Sequence, residues 1–268
     1  MLVPISTQNQ PVVLTVGIQA NRPVVIRLSG HDGQRKHSWY FRRKVPFTQA
    51  AIKAGKTYKE ITLSMPLTPT TLLVEIKGSR AWEDEGFVIQ KLEAKKMKPA
   101  EIWAQPSMHR FIDFAQQFAK RCGSYRPGYY DAQGHEFLIQ LLPVIKDQLG
   151  RELVTPARTH RGTGRIQVAG QAFKRFTIPV RMFVLLHERQ HFQIPTRDEK
   201  TADLTALQLY LDLGYPKIEA VYAATKVFAS RPETVGKEHV KRAKDIISFI
   251  DHYRRANEVR LHQKATAI

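Results

Sequence analysis

Two histidines four residues apart, His187 and His191, enclose a glutamate at position 188 in the run HERQH. On a helix, residues i and i+4 project from one face, one turn apart. Both imidazoles can therefore reach one zinc ion at about 2.0–2.1 Å. Glu188 lies about 100° further round the helix, beside the ion rather than on it. A carboxylate there can accept a proton from zinc-bound water and pass it to a leaving amine. The preceding residues, VRMFVLL, are strongly apolar, which puts the histidines near buried surface where polar groups need partners. The plain alternative is a pair of ordinary histidines in a basic chain that has ten of them.

A third ligand has to come from a neighbouring element. After Ile194-Pro195 the chain reads TRDEKTADLTALQLYL. Glu199 and Asp203 are again i and i+4 and share a face of the next helix. Antiparallel packing would bring Glu199 to the ion and Asp203 to the far nitrogen of a ligand histidine. Two histidines and a glutamate leave a position open for water. The same residues also fit a capping box, with Thr196 as N-cap and Glu199 at N3. In that arrangement Glu199 points back at its own helix end, and Asp198 is the next candidate ligand.

The run HERQH followed by EKTAD resembles the gluzincin branch of the zinc metallopeptidases, in which an HExxH helix precedes a helix bearing ExxAD. The resemblance covers roughly residues 105–230. It implies a zinc ion held by His187, His191 and Glu199, with Glu188 as catalytic base and Asp203 orienting a ligand histidine. The short gap between His191 and Glu199 resembles compact members of that branch. The resemblance further implies an edge strand, just before the metal helix, that pairs with extended substrate; GRIQVAG and KRFTI are the segments available. It also implies a transition-state donor of type Tyr, His or Arg. Tyr210, Tyr222, His160 and Arg158 qualify, and no spacing singles one out.

The elements that must position these residues fall in two stretches, which together predict an α+β protein. Up to residue 98, short β-branched runs (VVLTVGIQ, RPVVIRLSG, HSWYFRRKV, KTYKEITLSM, TTLLVEIKG, GFVIQKLEA) alternate with turn signals. That pattern predicts an all-β, sandwich-like binding or assembly domain over 1–98. Residues 99–268 predict a mainly helical, zincin-like metallopeptidase domain with a small sheet and C-terminal helices. Phe111, Ile112, Phe114, Ala115 and Phe118 recur at helical spacing. A second helix is expected over about 134–149, bent at Pro143, and short strands are expected between 153 and 179. Further helices are expected over about 180–193, 197–213, 216–229 and 235–256, with Gly214 just past the third-to-last.

A formal charge of +18 over 268 residues favours acidic partners, including non-specific attraction to nucleic acid or an anionic surface. The single cysteine, Cys122, can form no internal disulfide and no cysteine-rich zinc knuckle. No stretch has the length of a membrane span, and the N-terminus lacks the plan of a secretory signal. Cytoplasmic synthesis is expected, compatible with incorporation into a viral particle. Three functions compete: a zinc metallopeptidase acting on peptide or protein, a structural or assembly protein (such as a phage virion component) that retains a zincin-like metal site with little catalysis, and a nucleic-acid-binding protein in which HERQH is coincidental.

Overall fold

A computed structural model describes residues 1–32, 35–78, 86–98, 106–194, 198–227 and 237–253. These form a mixed α/β protein with three sheets. The chain divides into two compact units. One holds Met1–Ala100, Gln116–Tyr125 and Lys174–Pro179; the other holds Glu101–Ala115, Arg126–Phe173 and Val180–Ile268.

In the first unit the strands are β1 (Leu2–Ser6), β2 (Val12–Ala20), β3 (Val24–Asp32), β4 (Arg35–Val45), β5 (Tyr58–Met65), β6 (Thr71–Gly78) and β7 (Phe87–Lys96). A short helix, α1 (Gln49–Lys53), lies between β4 and β5. The strands pair antiparallel into two sheets, β1-β6-β3-β4 and β5-β2-β7. Period-two patterning sets the core: Ile26 and Leu28 on β3, and Leu72, Val74 and Ile76 on β6, are buried, while the residues between them are not. Each such aliphatic side chain contributes about 1.5–3 kcal/mol by leaving water. The six expected strands all form. β1 is an additional strand at a sheet edge, paired on one side only, which is where Pro4 is tolerated in a ladder.

In the second unit the long helix α2 (Pro106–Arg121), which continues into the first unit, buries Phe111, Ile112, Ala115 and Phe118 as its spacing predicts. The helix expected over 134–149 does not form. Leu138–Leu142 is a strand, β9, burying Ile139 and Leu141 alternately. A five-residue apolar run is ambiguous between helix and strand. Here Gly134 at φ 80° and Pro143 bound it at strand length, and an interior proline would cost a helix about 3 kcal/mol.

β9 joins β8 (Gly128–Asp131), β10 (Ala157–His160) and β11 (Arg165–Ala169) in the order β10-β11-β9-β8, with β9 and β11 parallel and the other pairs antiparallel. The KRFTI segment is no strand: after a short helix, α3 (Gly170–Phe173), the chain turns directly into α4 (Ile178–Gln193), with Pro179 in its first turn. Then come α5 (Glu199–Asp212), α6 (Lys217–Tyr222), a π-helical turn (Ala223–Val227) and α7 (Lys237–His252). Gly214, at φ 85°, ends α5 in the left-handed conformation expected of it. Among the described residues, no helix is long and apolar enough to cross a membrane.

Candidate metal centre

Every residue of α4 from Ile178 to His191 is buried, so its polar side chains need partners inside the fold. Two arginines on it are accommodated by specific partners. Arg181 donates from Nε to the Phe173 carbonyl at 3.1 Å. Arg189, between the two histidines in sequence, turns its guanidinium onto the rings of Phe111, Phe137 and Phe192, 4.8–5.1 Å from their centroids.

His187 and His191 share the remaining face, with Nε2 atoms 3.1 Å apart. Glu199, the first residue of α5, meets both: Oε2 is 3.6 Å from His187 Nε2 and Oε1 is 3.5 Å from His191 Nε2. The histidine side chains are 5% and 8% exposed and Glu199 is 44% exposed, so the cluster opens on the glutamate side. Asp198 is the N-cap of α5, accepting from the backbone N–H groups of Lys200 and Thr201 at 3.2 and 3.1 Å. The capping role thus falls to Asp198, leaving the Glu199 carboxylate turned toward the histidines. Thr196, the cap suggested by the sequence, lies outside the described residues.

Asp203, one turn along α5, places Oδ1 2.9 Å from His187 Nδ1. Its other interactions come from Arg242 of α7, which donates Nε to Oδ2 at 2.7 Å and Nη2 to Oδ1 at 2.9 Å. Arg242 Nη2 also lies 3.2 Å from Glu199 Oε2. Burial pushes the Asp203 carboxyl up, but hydrogen bonds from His187 and Arg242 and their charges outweigh it and hold the pKa below the usual range. The hydrogen bond with His191 lowers the Glu199 pKa against the effect of burial, and raises that of His191.

Glu188 is buried beside the histidines. Thr159 Oγ1, on the edge strand β10, lies 2.8 Å from Glu188 Oε2 and 2.7 Å from the Glu188 carbonyl. A hydroxyl carries one hydrogen, so Thr159 donates to one of these oxygens at a time. β10 is the edge strand at this site. β11, from the GRIQVAG segment named for substrate pairing, is interior, flanked by β9 and β10.

Three of the four proposed transition-state donors have other partners. Tyr210 is fully buried, donates to the Pro216 carbonyl at 3.1 Å and stacks on Tyr215. Arg158 donates to Gln167 Oε1, and His160 Nδ1 pairs with the Thr163 hydroxyl. Tyr222 ends α6. Besides Arg242, a second cation acts on the cluster: Arg161, in the β10–β11 turn, whose charge opposes the rise of the His191 pKa. Gly164 in the same turn has φ 69°, and a Cβ there would meet the Phe192 ring at 3.1 Å, so the turn sits close against the residue that follows His191.

Thr159, Arg161 and Arg242 had no sequence signal comparable to the histidine spacing. Arg242 lies 39 residues beyond Asp203 on a helix whose pattern reads as an ordinary basic amphipath.

The donor set fits a metal ion. Two imidazole nitrogens 3.1 Å apart, each beside a carboxylate oxygen, are satisfied by a shared proton or a common cation. His191 Nδ1 is buried with no hydrogen-bond partner among the described residues. His187 Nε2, His191 Nε2 and a Glu199 oxygen, all within 4.8 Å of one another, are the nitrogen and oxygen ligands zinc takes at catalytic sites. No protein-family model matches this chain, and no match was found among curated proteins or solved structures.

Proposed function

We propose that the protein is a zinc-dependent metallopeptidase of compact gluzincin type. On this reading residues 1–98 are a sandwich-like assembly domain and residues 99–268 a zincin-like catalytic domain. One observation carries the proposal: two imidazoles from α4 and the Glu199 carboxylate from α5 converge on one point, with Glu188 alongside and Asp203 behind His187.

His187, His191 and Glu199 would hold the ion, which when bound supplies Lewis acidity toward water and toward a peptide carbonyl. The rest is done by the chain itself. Asp203 accepts the Nδ1 proton of His187 and so leaves the Nε2 lone pair directed into the cluster. Arg242 engages one oxygen of Glu199 and leaves the other toward His191. Glu188 takes a proton from the attacking water at its carboxylate and delivers it to the departing amine nitrogen. Thr159 holds that carboxylate in place from the edge strand.

Elemental analysis of untagged protein should find about one zinc per chain, and none in His187→Ala. Glu188→Gln should keep the metal and lose roughly 10²–10⁴-fold in turnover of an unstructured protein substrate. Equal turnover in the variant would remove the peptidase assignment. A second reading, an assembly protein that retains the metal site with little catalysis, draws support from one observation. Tyr210, Arg158 and His160 are each committed to other partners. Zinc without turnover in the unmodified protein would favour it.

A further inference from the structure

Surface cations of the first unit differ in whether a carboxylate stands beside them. On the β5-β2-β7 sheet, Lys91 lies 3.3 Å from Glu60 and Lys95 lies 3.0 Å from Glu93, so each of these two cations has its own carboxylate. On the solvent face of β1-β6-β3-β4, four cations (Arg27, Arg42, Lys44 and Lys77) stand around the one carboxylate of Glu75. Registry puts Arg27 opposite both Arg42 and Glu75, and Val25 opposite both Lys44 and Lys77. Arg27 and Lys77 share the single carboxylate of Glu75, at 3.2 and 3.7 Å. Among the described residues, neither Arg42 nor Lys44 has a carboxylate within ion-pair distance, and both are exposed. Like charges directly across strands are unfavourable, so the Arg27–Arg42 pair is a cost that an anion laid over the face would relieve.

The next row toward the bulge places Trp39 opposite Ser29. Trp39 is partly exposed, and the Arg42 guanidinium sits 5.5 Å from its ring centroid. Arg42 and Lys44 are two residues apart on one strand, about 6.7 Å along its axis. The face therefore offers a row of cations beside an indole–guanidinium pair. Cations that follow a phosphate backbone, next to an aromatic ring on which a base can stack, are the elements by which proteins hold single-stranded nucleic acid.

We propose that this face, built on Trp39, Arg42, Lys44, Arg27 and Lys77, binds single-stranded nucleic acid without sequence preference. The site is independent of the metal centre. An acidic protein would use the cations but leave the indole without a role.

The test uses the full chain and a fluorescein-labelled oligothymidylate of about 20 nucleotides, read by anisotropy across a salt series. With up to four phosphates engaged, log K should fall against log salt with a slope of about −3. The double variant Arg42→Glu/Lys44→Glu should weaken binding at least about tenfold. Lys91→Glu/Lys95→Glu, at two lysines that each have a carboxylate partner, makes the same change from the formal charge of +18 and should change it less than about threefold. Both variants must melt like the unmodified chain. In a chain with the other two tryptophans changed to phenylalanine, titration with unlabelled oligothymidylate should quench Trp39 emission. Equal losses in the two double variants, binding without quenching, or no binding by the unmodified protein would each overturn the proposal.

Discussion

The sheets of the first unit and the helices around the candidate metal centre solve opposite problems with charge. In the sheets, ionised side chains stand on solvent faces and the interior is aliphatic: Leu14, Val16, Ile18, Ile26, Leu28 and Val74 lie inward. Around His187, charge is brought inside. Asp203 is 2% exposed and Arg242 17%, and each depends on the other. Burial energy holds the first arrangement, and it can be disturbed one residue at a time in proportion to the volume removed. Mutual neutralisation holds the second, so removing one member strands the rest.

Asp203→Ala tests that contrast most severely. It leaves Arg242 largely buried without its carboxylate and frees His187 Nδ1. Breaking such a pair costs about 3–5 kcal/mol, to be read by urea denaturation in excess chelator so that metal binding does not contribute. Zinc affinity, measured by chelator competition, should fall about 10–100-fold. Arg242→Met should show the same pattern more weakly. A loss within about 1 kcal/mol would mean the pair behaves as a surface ion pair.

The matching break in the sheets is Ile26→Ala, which opens a cavity in the aliphatic core. It should cost about 2–5 kcal/mol, with faster amide exchange along β3 and β6. Zinc content should stay at the unmodified value. Loss of metal in this variant would show that the two arrangements are not energetically separate.

What could be read from the sequence follows the same division. The strands of the first unit other than β1 were legible because each carries its own period-two signal, and about two turns of helical spacing, from Phe111 to Phe118, sufficed for α2. β9 was not legible, since LIQLL satisfies either period and its fate is decided by pairing with β8, which ends at Asp131, and β11, which begins at Arg165. At the candidate metal centre, the clustering of His187, His191, Glu199 and Asp203 was legible because helical geometry fixes i and i+4 neighbours locally. Arg242 and Thr159 reach the site only through tertiary packing, and no local rule links them to it. The competition at the start of α5 was between two readings of one short motif, and it was decided by which residue's oxygen met the Lys200 and Thr201 N–H groups.

Asp198 offers a smaller test of that decision. As the N-cap, its replacement by alanine removes the acceptor for two helix-end donors, and the melting temperature should fall measurably. Asp198→Asn, which retains an acceptor, should restore most of it. Zinc content should be unchanged in both. A loss of zinc with Asp198→Ala and not with Glu199→Ala would move the third ligand to position 198.

The smallest effect is expected at Asp147, a carboxylate that does in a surface loop what Asp203 does inside. Its Oδ1 accepts from the backbone N–H groups of Leu149 and Arg151, both at 2.9 Å, and its Oδ2 accepts from Arg151 Nε at 2.8 Å. The Arg151 backbone bond, foremost, holds its pKa below the usual aspartate range against the opposing effect of burial. A carboxyl whose pKa is lower folded than unfolded stabilises the fold at every pH above the unfolded value, about 3.9. That contribution fades as pH falls through the folded value. Asp147→Asn should therefore melt slightly below the unmodified chain at neutral pH, and the gap should close as the pH drops below about 4. Water competes for every donor in this loop, so the gap should be small and should shrink further when salt screens the Arg151 pairing. A gap as large as that of Asp203→Ala would show that exposure does not separate the two carboxylates, and that the number of hydrogen bonds each accepts sets its contribution.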